Sequence, residues 1–217
     1  AQVHVLKDPA IRRIVERWCL QWRGRVYPRL DRLPSSIVHG DVNDENILVS
    51  RDDHGAYQLS GIIDFGDMVR THTINDLAIA GAYHLLDRDD PVAGLAAVTS
   101  GYHEVRPLSD DEFSVLFGLA GLRLCVSVVS SGMDALEDPN NTHQQITRAR
   151  ALNALRRLDT VNWSEAEEHI RALCKQTSPA VQNVGPSADD MIQGRRRHVA
   201  PSLSVAYQDP LVIMRGE

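Results

Sequence analysis

Two short segments gather the polar residues able to do group-transfer chemistry. The first is His39-Gly40-Asp41-Val42-Asn43-Asp44-Glu45-Asn46, running into the apolar Ile47-Leu48-Val49. The second is Gly61-Ile62-Ile63-Asp64-Phe65-Gly66-Asp67. Between them, Ile47–Val49 and Tyr57–Ile63 flank the polar turn Arg51-Asp52-Asp53-His54-Gly55, a β-hairpin pattern. Antiparallel pairing puts the start of one strand beside the end of the other. Asn46 enters the hairpin and Asp64 leaves it, so Asp41, Asn46 and Asp64 are expected to converge.

Phosphoryl transfer from a nucleoside triphosphate uses such a set. The dense phosphate charge calls for Mg²⁺, a hard cation that takes oxygen ligands and few of them from protein. Asn46 offers an amide oxygen and Asp64 a carboxylate as metal ligands. Asp41 is then the catalytic group that orients the acceptor hydroxyl and takes its proton. The His-x-Asp-x₄-Asn spacing followed by Asp-Phe-Gly is a kinase signature. His39 has no substrate role in this scheme and supports the loop through a hydrogen bond. Asp44 and Asp67 read as solvated or capping carboxylates.

These motifs resemble the C-terminal lobe of the aminoglycoside phosphotransferase and choline kinase superfamily, which carries His-Gly-Asp where protein kinases carry His-Arg-Asp. The phrases His39–Leu48 and Gly61–Met68 are especially similar to its hydroxylysine kinase branch. Asn75-Asp76-Leu77-Ala78 matches the family's Asp-Leu-Ala element. The resemblance makes Asp76 a supporting residue that caps a helix and braces the catalytic loop. It covers residues 8 to 174. It implies an α+β, mainly helical fold: a kinase-like C-lobe with a short catalytic β-hairpin. The implied reaction moves the γ-phosphate of ATP or GTP to a hydroxyl of a small amine-bearing metabolite. Hydroxylysine is the first choice, an amino alcohol or aminoglycoside the next.

Only about forty residues precede Asp41, too few for the Gly-rich strand pair and strand Lys of a kinase N-lobe. Lys7 and Lys175 are the chain's only lysines, and neither lies on such a strand. The N-lobe is therefore read as missing and the nucleotide-binding residues are unassigned. The piece alone is expected to be inactive, with an apolar seam exposed near Ile37, Val38 and the hairpin. The alternative reading is a non-catalytic regulatory or scaffolding kinase-like domain.

The elements that must position these residues are mostly helical. Asp8-Pro9 opens a helix with apolar residues at Ile11, Ile14, Val15, Trp18 and Trp22, and Pro28 is a plausible stop. Ser35-Ser36-Ile37-Val38-His39-Gly40-Asp41 is a short apolar run ending in a Gly-containing turn. After Ile63 the pattern turns helical, over Ile74–Leu86, Pro91–Val105, Asp110–Ser131, His143–Leu158 and Ser164–Cys174. Asn75-Asp76 and Ser109-Asp110-Asp111-Glu112 read as N-terminal caps. The apolar run Phe113–Val129 is interrupted by Ser114, Arg123 and Ser127 and reads as a buried core helix. Cys19 and Cys125 read as core thiols.

Composition narrows the classes. The 217 residues are 43% apolar and 24% charged with a formal charge of −6, the balance of a globular chain without a basic nucleic-acid footprint. Three scattered cysteines and nine unpaired histidines suit neither a disulfide framework nor a zinc site. These features imply a cytoplasmic protein with neither nucleic-acid nor membrane partners; the small-molecule substrate is what the family resemblance implies.

Residues 1–174 form the kinase-like lobe, and 175–197, rich in Gln, Ser, Pro, Gly and Asn, read as a linker. Residues 198–217 resemble the start of a class III aminotransferase. Pyridoxal phosphate is therefore implied only for a downstream domain, linked covalently as the upstream N-lobe would be. The alternative scaffolding domain would likewise be fused to such an aminotransferase or lyase.

Overall fold

A computed structural model describes residues 3–86, 88–137 and 142–176; the expected linker and the aminotransferase-like tail lie almost entirely outside these residues. Asp8 starts helix α1 (Pro9–Arg25): its carboxylate accepts from Ala10 N at 2.8 Å, and Pro9 has no N–H to leave unpaired. α1 ends at Arg25, and Pro28 sits in the 3₁₀ segment Tyr27–Arg32 that follows.

Four strands form two antiparallel pairs. Strand β2 (Ile47–Arg51) pairs with β3 (Tyr57–Ile62), from Ile47 opposite Ile62 to Arg51 opposite Tyr57. Leu48 faces Gly61 and Val49 faces Leu59, so Ser60 is the extra residue of a bulge. The turn is closed by Asp52, which accepts from Ala56 N at 2.8 Å and His54 N at 2.9 Å. The Ala56 bond above all holds the Asp52 carboxyl below its ordinary value.

Strand β1 (Ser35–Val38) pairs with β4 (Val69–His72), Ser35 opposite His72 and Val38 opposite Val69. The sequence pattern leads from Ile63 directly into helices; the structure inserts a 3₁₀ turn, Phe65–Asp67, and β4 first. Four residues are too few to show a period, and Val69-Arg70-Thr71-His72 becomes a strand through its partner β1.

Helices α2 (Ile74–His84), α3 (Pro91–Val105), α4 (Asp110–Glu137), α5 (Thr142–Asp159) and α6 (Trp163–Gln176) complete the element order. The fold among the described residues is thus mostly helical with small antiparallel sheets. Ser109 and Glu112 open α4 as a reciprocal cap: Glu112 Oε2 accepts from Ser109 N at 2.9 Å, and Ser109 Oγ accepts from Glu112 N at 3.3 Å.

α4 runs six residues past its expected end at Ser131. Its length and mean hydropathy of 1.9 would suffice to cross a membrane. Yet Phe113, Leu116, Phe117, Ala120 and Leu124 are buried, and the helix packs against α1, α2, α5 and α6. It is the central helix of the core.

Trp18 of α1, Phe117 of α4 and Trp163 of α6 form an aromatic triangle with ring centroids 5.2–5.6 Å apart. The rings fit because α4 carries glycine beneath them. A Cβ on Gly121 would lie 2.1 Å from the Trp18 ring, and one on Gly118 would lie 2.4 Å from Trp163.

The hairpin faces solvent with an apolar surface: Leu48, Val49, Leu59, Ile62 and Ile63 are exposed, as is Ile37 of β1. Val38 departs from the expected seam. It is buried, because successive residues of β1 point to opposite sides.

The aromatic triangle yields a prediction whose sign opposes helix propensity. Ala favours a helix over Gly by about 1 kcal/mol, but overpacking costs about 1–3 kcal/mol. Gly121→Ala should lower the thermal midpoint by roughly 2–8 °C. Gly24→Ala, on α1 with nothing within 4 Å of the added carbon, should leave it unchanged or raise it. Thermal unfolding followed by circular dichroism compares the two.

Candidate active site

The loop joining β1 to β2 is fixed from behind by α2. Asp76 lies in the first turn of α2, and its Oδ2 and Oδ1 accept from His39 N and Gly40 N, each at 2.9 Å. The expectation that Asp76 also caps its helix is not met. Thr73 is the N-cap residue, without a side-chain cap bond, and the Asp76 carboxylate is spent on the loop.

Gly40 has φ +85°, and a Cβ there would lie 2.5 Å from the Asp67 carbonyl oxygen. Both the conformation and the close approach require glycine. They explain why His-Gly-Asp can seat against the second segment.

His39 is buried. Its Nε2 lies 2.9 Å from the Ile63 carbonyl oxygen, and its Nδ1 accepts from Asp41 N at 3.3 Å. The neutral tautomer with the proton on Nε2 satisfies both bonds. His39 therefore ties the residue before Asp64 to the residue that carries the expected base.

Asn46 is also buried, and its Nδ2 donates to the Asp41 carbonyl at 2.9 Å and to Asp41 Oδ2 at 3.3 Å. Both bonds use the amide nitrogen, which leaves the amide oxygen as the atom for a cation. The hairpin ladder continues one pair outward, with Ile63 N donating to Asn46 O at 3.0 Å.

Asp64 comes next. With φ +62° it is the one non-glycine residue in the left-handed region among the described residues, a conformation Asp tolerates better than most. Its carboxylate is exposed and, among the described residues, accepts only a long bond from Gly66 N, at 3.4 Å. Asp41 and Asn46 are thus in direct contact, with His39 and Asp76 behind them. Asp64 adjoins them through the backbone, without a side-chain bond to either among the described residues.

Both oxygens of Asp41 are occupied. Oδ2 accepts from Asn43 Nδ2 at 2.9 Å, and Oδ1 accepts from Arg123 Nη2 at 2.7 Å. The same Nη2 donates to the Tyr83 hydroxyl at 2.9 Å, and the guanidinium lies 5.4 Å from the Tyr83 ring. Sequence reasoning treats Arg123 only as an interruption of an apolar run. The signal was there, since a cation on a core helix needs an anionic partner. Nothing in the sequence points to Tyr83.

No group of three His, Cys, Asp or Glu suited to a metal occurs among the described residues. The donors that fit Mg²⁺ are the Asn46 amide oxygen and the loosely held Asp64 carboxylate. One or two protein oxygens are what this cation takes when phosphates and water complete its shell.

Residues 4–108 match the phosphotransferase enzyme family. The match takes in the whole loop, the hairpin and α2, and it ends before α4, so Arg123 lies beyond it. The chain is also 32% identical over 166 residues to the hydroxylysine kinase of Danio rerio, covering 76% of this chain and 47% of that protein. It is 32% identical over 152 residues to the hydroxylysine kinase of Xenopus laevis, covering 68% and 41%. The corresponding figures for the Mus musculus hydroxylysine kinase are 31% over 162 residues, 72% and 43%. The chain spans less than half the length of these curated relatives. The phosphotransferase-type loop and its homology to kinases agree with the motif resemblance.

The Asp76 brace can be tested apart from activity. Asp76→Ala leaves two backbone N–H groups without their acceptor, at about 1–3 kcal/mol for each one left unsatisfied. Urea unfolding should show a loss of about 2–4 kcal/mol. Asp76→Asn, which keeps one acceptor oxygen, should fall between it and the wild type.

Proposed function

We propose that these residues are the metal- and acceptor-binding part of a small-molecule phosphotransferase. It moves the γ-phosphate of ATP or GTP to a hydroxyl of a small amine-bearing metabolite, with hydroxylysine the first choice. The observation that carries this reading is the contact between Asp41 and Asn46, with Asn46 turned so that its oxygen stays available. The names of the relatives support the choice of acceptor.

In this reading Asp41 orients the acceptor hydroxyl toward the γ-phosphorus. The acceptor oxygen forms the new P–O bond, the bond to the β–γ bridging oxygen breaks, and the hydroxyl proton passes to Asp41. Asn46 and Asp64 would hold Mg²⁺, which supplies charge neutralisation on the phosphates. His39, Gly40 and Asp76 do no chemistry; they fix the loop.

The nucleotide clamp is assigned to the part of the relatives' length that this chain does not span. Before Asp41 the described residues form α1, 3₁₀ segments and β1, and Lys7 is exposed outside any strand. The exposed Leu48, Val49 and Leu59 suit a surface that such a segment would cover.

The test is phosphate transfer from labelled Mg²⁺–ATP or Mg²⁺–GTP to hydroxylysine by the full-length protein. Asp41→Ala should cut kcat by ~10²–10⁴ with nucleotide affinity nearly unchanged. Asp64→Ala should weaken Mg²⁺–nucleotide binding itself. The 217-residue chain alone should give no product. Normal turnover by Asp41→Ala would overturn the assignment. A full-length protein that binds no nucleotide would leave the non-catalytic scaffold.

A further inference from the structure

Arg123 stands at the midpoint of α4, with buried Ala120, Leu124 and Cys125 around it in sequence. A cation placed there must meet anions to offset its desolvation. The ion pair with Asp41 is not sealed: the Arg123 side chain is 27% exposed and that of Asp41 23%. Whatever approaches Asp41 also approaches Arg123.

A guanidinium has five N–H donors in a rigid fork. Both bonds of Arg123 to described residues come from Nη2, to Asp41 and to Tyr83. Nε is buried with no hydrogen-bond partner among the described residues. Nη1 makes none of the hydrogen bonds recorded for Arg123 with them. Nε is closed to a ligand, so Nη1 is the end of the fork left over among the described residues, while the Tyr83 hydroxyl and ring fix its plane. Orienting Asp41 alone would need one donor; a planar fork held still beside the reacting hydroxyl suits a second anion.

The charge of this second group follows from the fork. An amino alcohol or aminoglycoside brings only ammonium groups, which the idle side of Arg123 repels. A hydroxy amino acid brings a carboxylate.

We infer that Arg123 binds the carboxylate of the acceptor, while Asp41 takes its hydroxyl, which makes Arg123 the residue that selects a hydroxy amino acid over an amino alcohol. The inference rests on the reading of Asp41 as the residue that meets the acceptor hydroxyl. Arg123 is then a residue that touches substrate, with Tyr83 positioning it.

Calorimetric titration of the full-length protein, without nucleotide, separates this from the phosphotransferase reading. The probes are hydroxylysine and the diamine formed by removing its carboxyl group. The wild type should bind hydroxylysine at least about tenfold more tightly, the value of a charge-assisted hydrogen bond. Arg123→Gln should bring the two affinities within about twofold, and Arg123→Lys, which keeps the charge but not the fork, should fall between. Tyr83→Phe should retain a preference for the acid.

Equal affinity in the wild type, no measurable binding of the acid, or a preference that survives Arg123→Gln overturns the inference. Should Arg123→Gln fail to fold by circular dichroism, an undiminished preference in Arg123→Lys overturns it. A protein that prefers the acid but never transfers phosphate defeats the proposed function alone. One that phosphorylates acid and diamine equally well defeats this inference alone.

Discussion

The site depends on one carboxylate accepting two adjacent backbone N–H groups. Asp76 reaches from the first turn of α2 to His39 N and Gly40 N, and so fixes the chain just before Asp41. Charge-assisted bonds to a carboxylate are stronger than neutral ones, and two from one side chain fix direction as well as distance. The remaining contacts follow. With His39 N held, its ring reaches Ile63 O; with Gly40 held at φ +85°, the loop can lie against Asp67. The β1–β4 pair places α2 for this, since Thr73 N donates to Pro34 O at 2.9 Å immediately after β4. Helix, hairpin and loop are thus joined by polar groups at the site and by apolar packing away from it.

Local chemistry and long periods were legible in the sequence. The hairpin, the helix starts at Asp8-Pro9 and Ser109, and α3 and α6 follow from capping residues and apolar spacing that operate within a few residues. The proximity of Asn46 to the chain entering Asp64 follows from the hairpin alone, with Ile63 N bonded to Asn46 O. β4 was not legible, because its strand character comes from β1 more than thirty residues earlier. Arg123 was not placed for the same reason: its partner lies 82 residues away, and no local pattern says which face of α4 meets the loop. The direction of the Asp64 side chain was not legible either. Hairpin geometry fixes where its backbone emerges, but the left-handed φ decides where the carboxylate goes, and here it turns toward Gly66.

The helical core holds Arg123 in place beside Asp41. α4 admits Trp18 and Trp163 over Gly121 and Gly118, so α1 and α6 pack against it through rings rather than through flexible chains. The same helix carries Arg123. A guanidinium used for recognition is useful only if its Cα does not wander, and the aromatic triangle supplies that rigidity from the neighbouring turns.

The separations of the contacting residues also set an order in time. During synthesis the loop and hairpin leave the ribosome well before α4. The Asp76 brace closes a gap of 37 residues, whereas the Arg123–Asp41 pair closes one of 82. Loops of greater separation close later and at greater entropic cost. The nascent chain thus passes through a stage in which the loop is shaped but Asp41 still lacks its cation. The Arg123–Asp41 pair is therefore a late contact of biogenesis, made only when the central helix has docked.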